Sequence, residues 1–223
     1  MNDPLRLVLF DVDGTLVDSQ GAIVGAMRTA FAAQALPAPD RRAILSIVGL
    51  SLPQALARLA PEQNAGVQGA LVEAYKSAFA AQRAQQMSPL YPGAREALQA
   101  LAARPNVLIG VATGKSRRGL NALIEAHALT GMFITAQVAD THPSKPHPSM
   151  ILQAMSETGV AADQTIMVGD TSYDMQMAAA AGVAGVAVTW GYHDRPALGD
   201  ATTVIEAFAD LPGALDQIWK TSA

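Results

Sequence analysis

Five short apolar runs rich in β-branched residues recur along this chain, at 5–10, 107–112, 133–138, 165–168 and 183–188. Helical spacing fills the gaps after Pro92: Ala94, Ala97, Leu98 and Leu101 fall at i, i+3, i+4 and i+7. Gly159 and Gly182 stand where later helices would close on a left-handed residue. Strands alternating with helices predict an α/β fold, a parallel sheet covered by helices on both faces, because each parallel pair needs a crossover long enough to hold a helix. In such sheets ligands bind beyond the carboxyl ends of the strands.

The segment 18–88 breaks this rhythm. It is rich in Ala and Gln, offers helices over 19–34, 52–59 and 64–85, and contains no convincing strand. Pro37, Pro39, Pro53 and Pro61 mark turns or first helical turns, and Pro89 and Pro92-Gly93 mark the return to the alternating pattern. The expected organisation is a core of 1–17 and 89–223 carrying an all-α insertion, 18–88.

The run at the amino end stops abruptly in Asp11-Val12-Asp13-Gly14-Thr15. A strand sends alternate residues to the same side, so Asp11 and Asp13 can share one small volume while Val12 turns back into packing. Carboxylates that close repel unless a divalent cation lies between them or one of them holds a proton, and either arrangement suggests chemistry. The second run ends in Thr113-Gly114-Lys115-Ser116 ahead of a helix, which places a hydroxyl and free backbone N–H groups where an anion can bind. Ser144-Lys145-Pro146-His147-Pro148 holds one lysine in a proline-stiffened loop before another helix. The fourth run ends in Gly169-Asp170-Thr171-Ser172-Tyr173-Asp174, whose two acids, four apart, share a face if a helix starts there. Each segment alone also reads as a turn, a cap or a solvated charge. Three of the four follow strands, so together Asp11, Asp13, Thr113, Lys145, Asp170 and Asp174 describe a metal and phosphate site on one sheet edge.

Composition narrows the partners. With 15 Lys plus Arg against 19 Asp plus Glu, the net charge of −4 shows no footprint for nucleic acid or an anionic membrane, so any anion must be caught locally. The absence of cysteine excludes thiol nucleophiles, thiolate metal sites and disulfides. Met1-Asn2-Asp3-Pro4 lacks the order of a signal peptide and no apolar run approaches spanning length, so a soluble cytoplasmic protein is expected.

Two rival motifs fail on spacing. A calcium loop starting at Asp11 needs Gly near position 16 and Glu at 22, where the chain has Leu16 and Ala22. Gly114-Lys115-Ser116 imitates the end of a nucleotide-binding P-loop, but the earlier Gly falls at Ile109 and Gly110 is out of register. In order and spacing the chain instead resembles the phosphohydrolases of the haloacid dehalogenase superfamily, in the branch with a helical cap inserted after the first motif. The family's Asp-x-Asp-Gly-Thr is matched by Asp11 to Thr15, its Thr or Ser by Thr113, its Lys by Lys145, and its Gly-Asp with a later Asp by Gly169, Asp170 and Asp174. The phrases around Thr113, Lys145 and Asp170 are most similar to the phosphoglycolate phosphatase group.

That resemblance implies a Rossmann-like sheet with an inserted all-α cap domain, Mg²⁺ as cofactor, and hydrolysis of a small phosphorylated metabolite, 2-phosphoglycolate first, by a monomer or homodimer. It implies Asp11 as nucleophile, passing through an aspartyl-phosphate, and Asp13 as acid and base. Asp11, the Asp13 carbonyl, Asp170 and Asp174 would hold the metal. Thr113, Lys145 and the amides near Val12 and Gly114 would hold the phosphoryl group. The cap would close over the site through Val48-Gly49-Leu50-Ser51-Leu52, with Arg58, Lys76 and Arg83 as candidate carboxylate partners, and Trp190-Gly191-Tyr192-His193 would border it. A phosphosugar mutase of the same superfamily, a non-catalytic Mg²⁺ and phosphate-binding module, and a structural adaptor built on the insertion are the alternatives.

Overall fold

The computed structural model describes residues 4–221, so Met1, Asn2 and Asp3, on which the reading of the amino end partly rests, lie outside the described residues. In chain order the elements are β1 (Arg6–Phe10), α1 (Gln20–Ala33), α2 (Arg41–Ser46), α3 (Leu52–Leu59), α4 (Ala65–Gln85), α5 (Ala94–Ala102), β2 (Val107–Thr113), α6 (Arg117–Ala126), β3 (Thr135–Val138), α7 (Ser149–Thr158), β4 (Thr165–Gly169), α8 (Ser172–Ala181), β5 (Ala184–Val188), β6 (Thr203–Ile205) and α9 (Leu211–Thr221). The strands form one sheet in the order β3-β2-β1-β4-β5-β6, with every neighbouring pair parallel.

Strand β1 shows why its sequence reads as an unbroken apolar run. Val8 and Phe10 pack on one face with Leu98 and Leu101 of α5, Leu120 of α6, and Leu215 and Trp219 of α9. Leu7 and Leu9 pack on the other face with Met150, Ile151 and Ala154 of α7 and Met177 and Ala178 of α8. Both faces of a central parallel strand are covered, so neither alternation position can be polar. The expected stripe Ala94, Ala97, Leu98 and Leu101 is buried, and Gly159 and Gly182 close α7 and α8 in the left-handed conformation.

Three details differ from the sequence reading. Strand β3 begins at Thr135 rather than Phe133, and Ile134 is exposed. Edge strand β6 was not expected, since three residues are too few to register as an apolar run. Short helix α2 was also missed, although Asp40 caps it by accepting from the Ala43 N–H at 2.7 Å.

Helices α1 to α4 share a separate apolar core that includes Met27, Phe31, Ile44, Leu56 and Leu71. The chain leaves for these helices and returns from them side by side. Val17 bridges Leu90, and the Asp18 N–H donates to the Pro89 carbonyl at 2.9 Å. This anchorage sets the helices at the carboxyl end of β1, above the place where the strand order reverses. Among the described residues no helix is long and apolar enough to cross a membrane.

Candidate active site

Asp11, Thr113 and Asp170 stand at the carboxyl ends of three adjacent strands, β1, β2 and β4. Register makes them neighbours, because Phe10 pairs with both Val111 and Val168, and the Asp11 N–H continues the ladder to the Val168 carbonyl at 2.9 Å. Val12 is buried in the sheet core, as its place between the two acids requires. Gly14 then turns the chain at φ +89°, and a Cβ there would stand 2.2 Å from Asp170 Oδ2. Only glycine allows both the turn and the approach.

Asp170 and Asp174 converge, but not as two residues on one helical face. Helix α8 starts at Ser172, with Thr171 as its N-cap, so Asp170 lies before the helix and Asp174 in its first turn. The Thr171 hydroxyl and N–H donate to Asp174 Oδ2 at 2.7 and 3.1 Å, closing a capping box that aims the other carboxylate oxygen inward.

That oxygen meets Lys145. Its ammonium, fully buried, lies 2.6 Å from Asp174 Oδ1 and 2.8 Å from Asp11 Oδ1. Asp11 Oδ1 is thus paired with the ammonium, while Asp11 Oδ2 has no donor. Burial pushes the Asp11 carboxyl up to about 6 against the pull of Lys145, and Asp174 adds to the rise. Burial likewise raises Asp170 well above the carboxylate range, with Asp174 and Asp11 contributing. Burial alone would lower Lys145, but Asp11 and Asp174 outweigh it and the net shift is upward, so the lysine stays charged.

Asp11, Asp170 and Asp174 offer carboxylate oxygens that all lie within 4.8 Å of one another. With Asp11 Oδ2 lacking a donor and every ligand atom a hard oxygen, this donor set suits a divalent cation of the Mg²⁺ type.

The Asp13 carboxylate faces a different cation. Lys115 Nζ donates to both of its oxygens at 2.7 Å, and the Ser19 hydroxyl donates to Oδ1 at 2.5 Å. Asp11 and Asp13 nevertheless line one cavity of about 410 Å³, together with Thr113 and Gly114. The loop 48–52 closes over it, for a Cβ on Gly114 would meet the carbonyl oxygens of Leu50 and Gly49 at 2.7 and 2.8 Å. The Ser51 N–H donates to the Ser144 hydroxyl at 2.7 Å, next to Lys145. Of the candidate cap cations, Lys76 and Arg83 line the cavity, whereas Arg58 donates to the Tyr173 hydroxyl at 2.8 Å and lies over its ring.

The segment Trp190-Gly191-Tyr192-His193, expected to border the site, reaches it at Asp170, through bonds that the sequence did not specify. The Thr15 hydroxyl donates to Asp170 Oδ1 at 2.9 Å, the Tyr192 N–H donates to Oδ2 at 2.8 Å, and Trp190 Nε1 donates to the Thr15 carbonyl at 3.1 Å. Thr15 sits inside the recognised motif. Tyr192 acts through a backbone donor that no residue type announces. Gly191 presses closer still, since a Cβ there would stand 2.1 Å from the Asp170 Cβ. Gly191→Ala is expected to lower stability by about 1–3 kcal/mol through this overlap, read as a shifted midpoint in urea unfolding.

A family profile described as "Haloacid dehalogenase-like hydrolase" matches residues 8–188. A relative named "Probable phosphatase IndB", from Dickeya dadantii (strain 3937), is 39% identical over 97% of this chain and 96% of its own length. A "Phosphoglycolate phosphatase" of Pseudomonas syringae pv. syringae (strain B728a) is 36% identical over 95% of this chain and 80% of its own. Among solved structures, a β-phosphoglucomutase from Clostridium difficile superposes with a TM-score of 0.84, covering 97% of this chain and 98% of that one at 18% identity. That likeness is one of fold.

Proposed function

The chain belongs to the haloacid dehalogenase-like hydrolase family, and on that footing we propose that it is a Mg²⁺-dependent phosphomonoester phosphohydrolase working through an aspartyl-phosphate on a small phosphorylated metabolite. The observation that carries this reading is Asp11: a buried carboxylate ion-paired to Lys145 through Oδ1, with no donor on Oδ2, lining a cavity that also holds Asp13. A structural acid at that depth would have its lone pairs satisfied.

In this reading an Asp11 oxygen attacks phosphorus, forming the acyl-phosphate bond as the bond from phosphorus to the alcohol oxygen breaks. Asp13 gives its proton to the departing oxygen, then takes one from the water that hydrolyses the aspartyl-phosphate, a role worth about 10² to 10⁴ in rate. Thr113 and the amides near Val12 and Gly114 hold the phosphoryl oxygens, and Lys145 offsets the charge on Asp11 and the transferring group. Asp11, Asp170, Asp174 and the Asp13 carbonyl would hold the metal. When bound, it supplies positive charge that screens an anionic nucleophile from an anionic substrate. Residues 18–88 serve as the cap that closes over the reaction, on a core of 1–17 and 89–223.

The test is a phosphate-release screen over small phosphoesters with Mg²⁺ and again with EDTA. Release in Mg²⁺ should fall by at least about 10²-fold on chelation and return with excess Mg²⁺. Release indifferent to EDTA overturns the metal reading, and an isomerised sugar phosphate in place of free phosphate assigns a mutase instead. 2-Phosphoglycolate, named in relatives such as that from Pseudomonas syringae, is the first substrate to try.

A further inference from the structure

Ser19 stands at the N-cap of α1, where a serine ordinarily accepts a hydrogen bond from an N–H of the first turn. Among the described residues its side chain makes no such bond. It is buried and turned to the site instead, its hydroxyl donating to Asp13 Oδ1 at 2.5 Å. The hydroxyl of Tyr192, on the loop after β5, lies 2.8 Å from the same serine oxygen. A hydroxyl has one proton, and that of Ser19 is committed to Asp13, so the proton between the two oxygens comes from the tyrosine. The Ser19 N–H donates in turn to the phenol oxygen at 3.1 Å. Donation therefore runs from Tyr192 to Ser19 to Asp13.

Tyr192 is itself held at three points. Its N–H donates to Asp170 Oδ2 at 2.8 Å, Gly191 before it is pressed against the Asp170 side chain, and its ring packs on the apolar core of α1 to α4. The phenol oxygen thus has a fixed place relative to Asp170, and through Ser19 it carries that reference to Asp13. Lys115 gives no such reference. Its ammonium donates to both Asp13 oxygens at 2.7 Å, so it compensates their charge without choosing between them. Ser19 touches Oδ1 alone and makes the two oxygens different.

We propose that Tyr192 is a positioning residue for proton transfer: through Ser19 it pins Asp13 Oδ1 and so assigns Oδ2 as the oxygen that carries the proton. This rests on the phosphohydrolase reading above and adds the group that aims its acid. In the step, the Oδ2–H bond breaks as the alcohol oxygen takes the proton. The bond from that oxygen to phosphorus breaks with its electron pair staying on the oxygen, and Asp13 is left a carboxylate. A carboxyl group free to rotate would spend part of its time with the wrong oxygen toward the ester, and proton transfer in the transition state depends on a held geometry.

The experiment measures kcat/KM in Mg²⁺ for two alkyl esters, 2-phosphoglycolate and glucose 6-phosphate, and for p-nitrophenyl phosphate, whose leaving oxygen departs as a stable anion and asks little of an acid. Tyr192→Phe removes the hydroxyl and keeps both the ring and the N–H on Asp170. In this variant the ratio of the better alkyl ester to p-nitrophenyl phosphate should fall about tenfold, as expected for losing one hydrogen bond that acts in proton transfer. Ser19→Ala should lower the ratio as much, and the double variant no further, because the two hydroxyls act as one chain. A merely structural role would lower all three substrates alike. An unchanged ratio in either single variant, or additive falls in the double, overturns this inference and leaves the phosphohydrolase standing. A parent that releases phosphate from none of the three, nor from any other ester in the Mg²⁺ screen, overturns both.

Discussion

Asp11→Asn is expected to lower kcat by on the order of 10⁴-fold or more while the protein remains folded. Asparagine matches the shape of aspartate but offers no anionic oxygen to attack phosphorus, and the remaining groups cannot replace a missing nucleophile. Folding survives because Lys145 keeps Asp174 as a partner at 2.6 Å. The variant also carries a pH signature. Burial raises Asp11 from 3.8 to about 6 in the folded chain, so the folded state holds that proton more tightly than the unfolded one. The parent's stability from this group therefore falls as pH rises from 3.8 through 6, and the asparagine variant lacks that fall. Urea unfolding in EDTA at pH 4 and pH 8 should show the variant gaining on the parent at the higher pH. Phosphate release within about tenfold of the parent would remove Asp11 from the nucleophile's role.

Lys145→Met should act on stability and turnover together. The lysine is the shared counter-ion of Asp11 and Asp174, and removing one partner from a buried ion pair costs about 3–5 kcal/mol because the remaining charges are left uncompensated. Methionine fills much of the same length, so the loss reports charge more than a cavity. Turnover should fall by about 10² to 10³ through lost stabilisation of the transferring group. Without the ammonium, Asp11 loses the chief influence lowering its pKa, so the stability deficit should be larger at pH 8 than at pH 5. Mg²⁺ that binds only the folded site should restore part of the difference. An unfolding midpoint equal to the parent's at pH 8 would show that Lys145 does not neutralise this cluster.

The structure divides what could be read in advance from what could not. The stop at Asp11-Val12-Asp13 was legible because β1 buries both its faces, so the strand reads as an unbroken apolar run that ends at Phe10 where the acids begin. The grouping of Asp170 with Asp174 was legible in residue type but not in geometry. Thr171 starts the helix between them, and a capping box rather than a helical face brings them together. Lys115 was visible within its motif, yet its bond to Asp13 spans 102 residues and left no trace in spacing. The Tyr192 N–H on Asp170 was invisible in another way, since every residue except proline carries the same donor.

What the chain of residues determined by itself was the class of fold and the inventory of chemistry. Periodicity sets which segments are strands and helices, and strand ends then collect the polar groups. Tertiary structure alone decided that Lys115 serves Asp13 and that Lys145 is shared with Asp174. It also decided how large a cavity the helices of the cap leave above them. Those are matters of packing between distant segments, where ångström distances fix the electrostatics and no one-dimensional pattern records them.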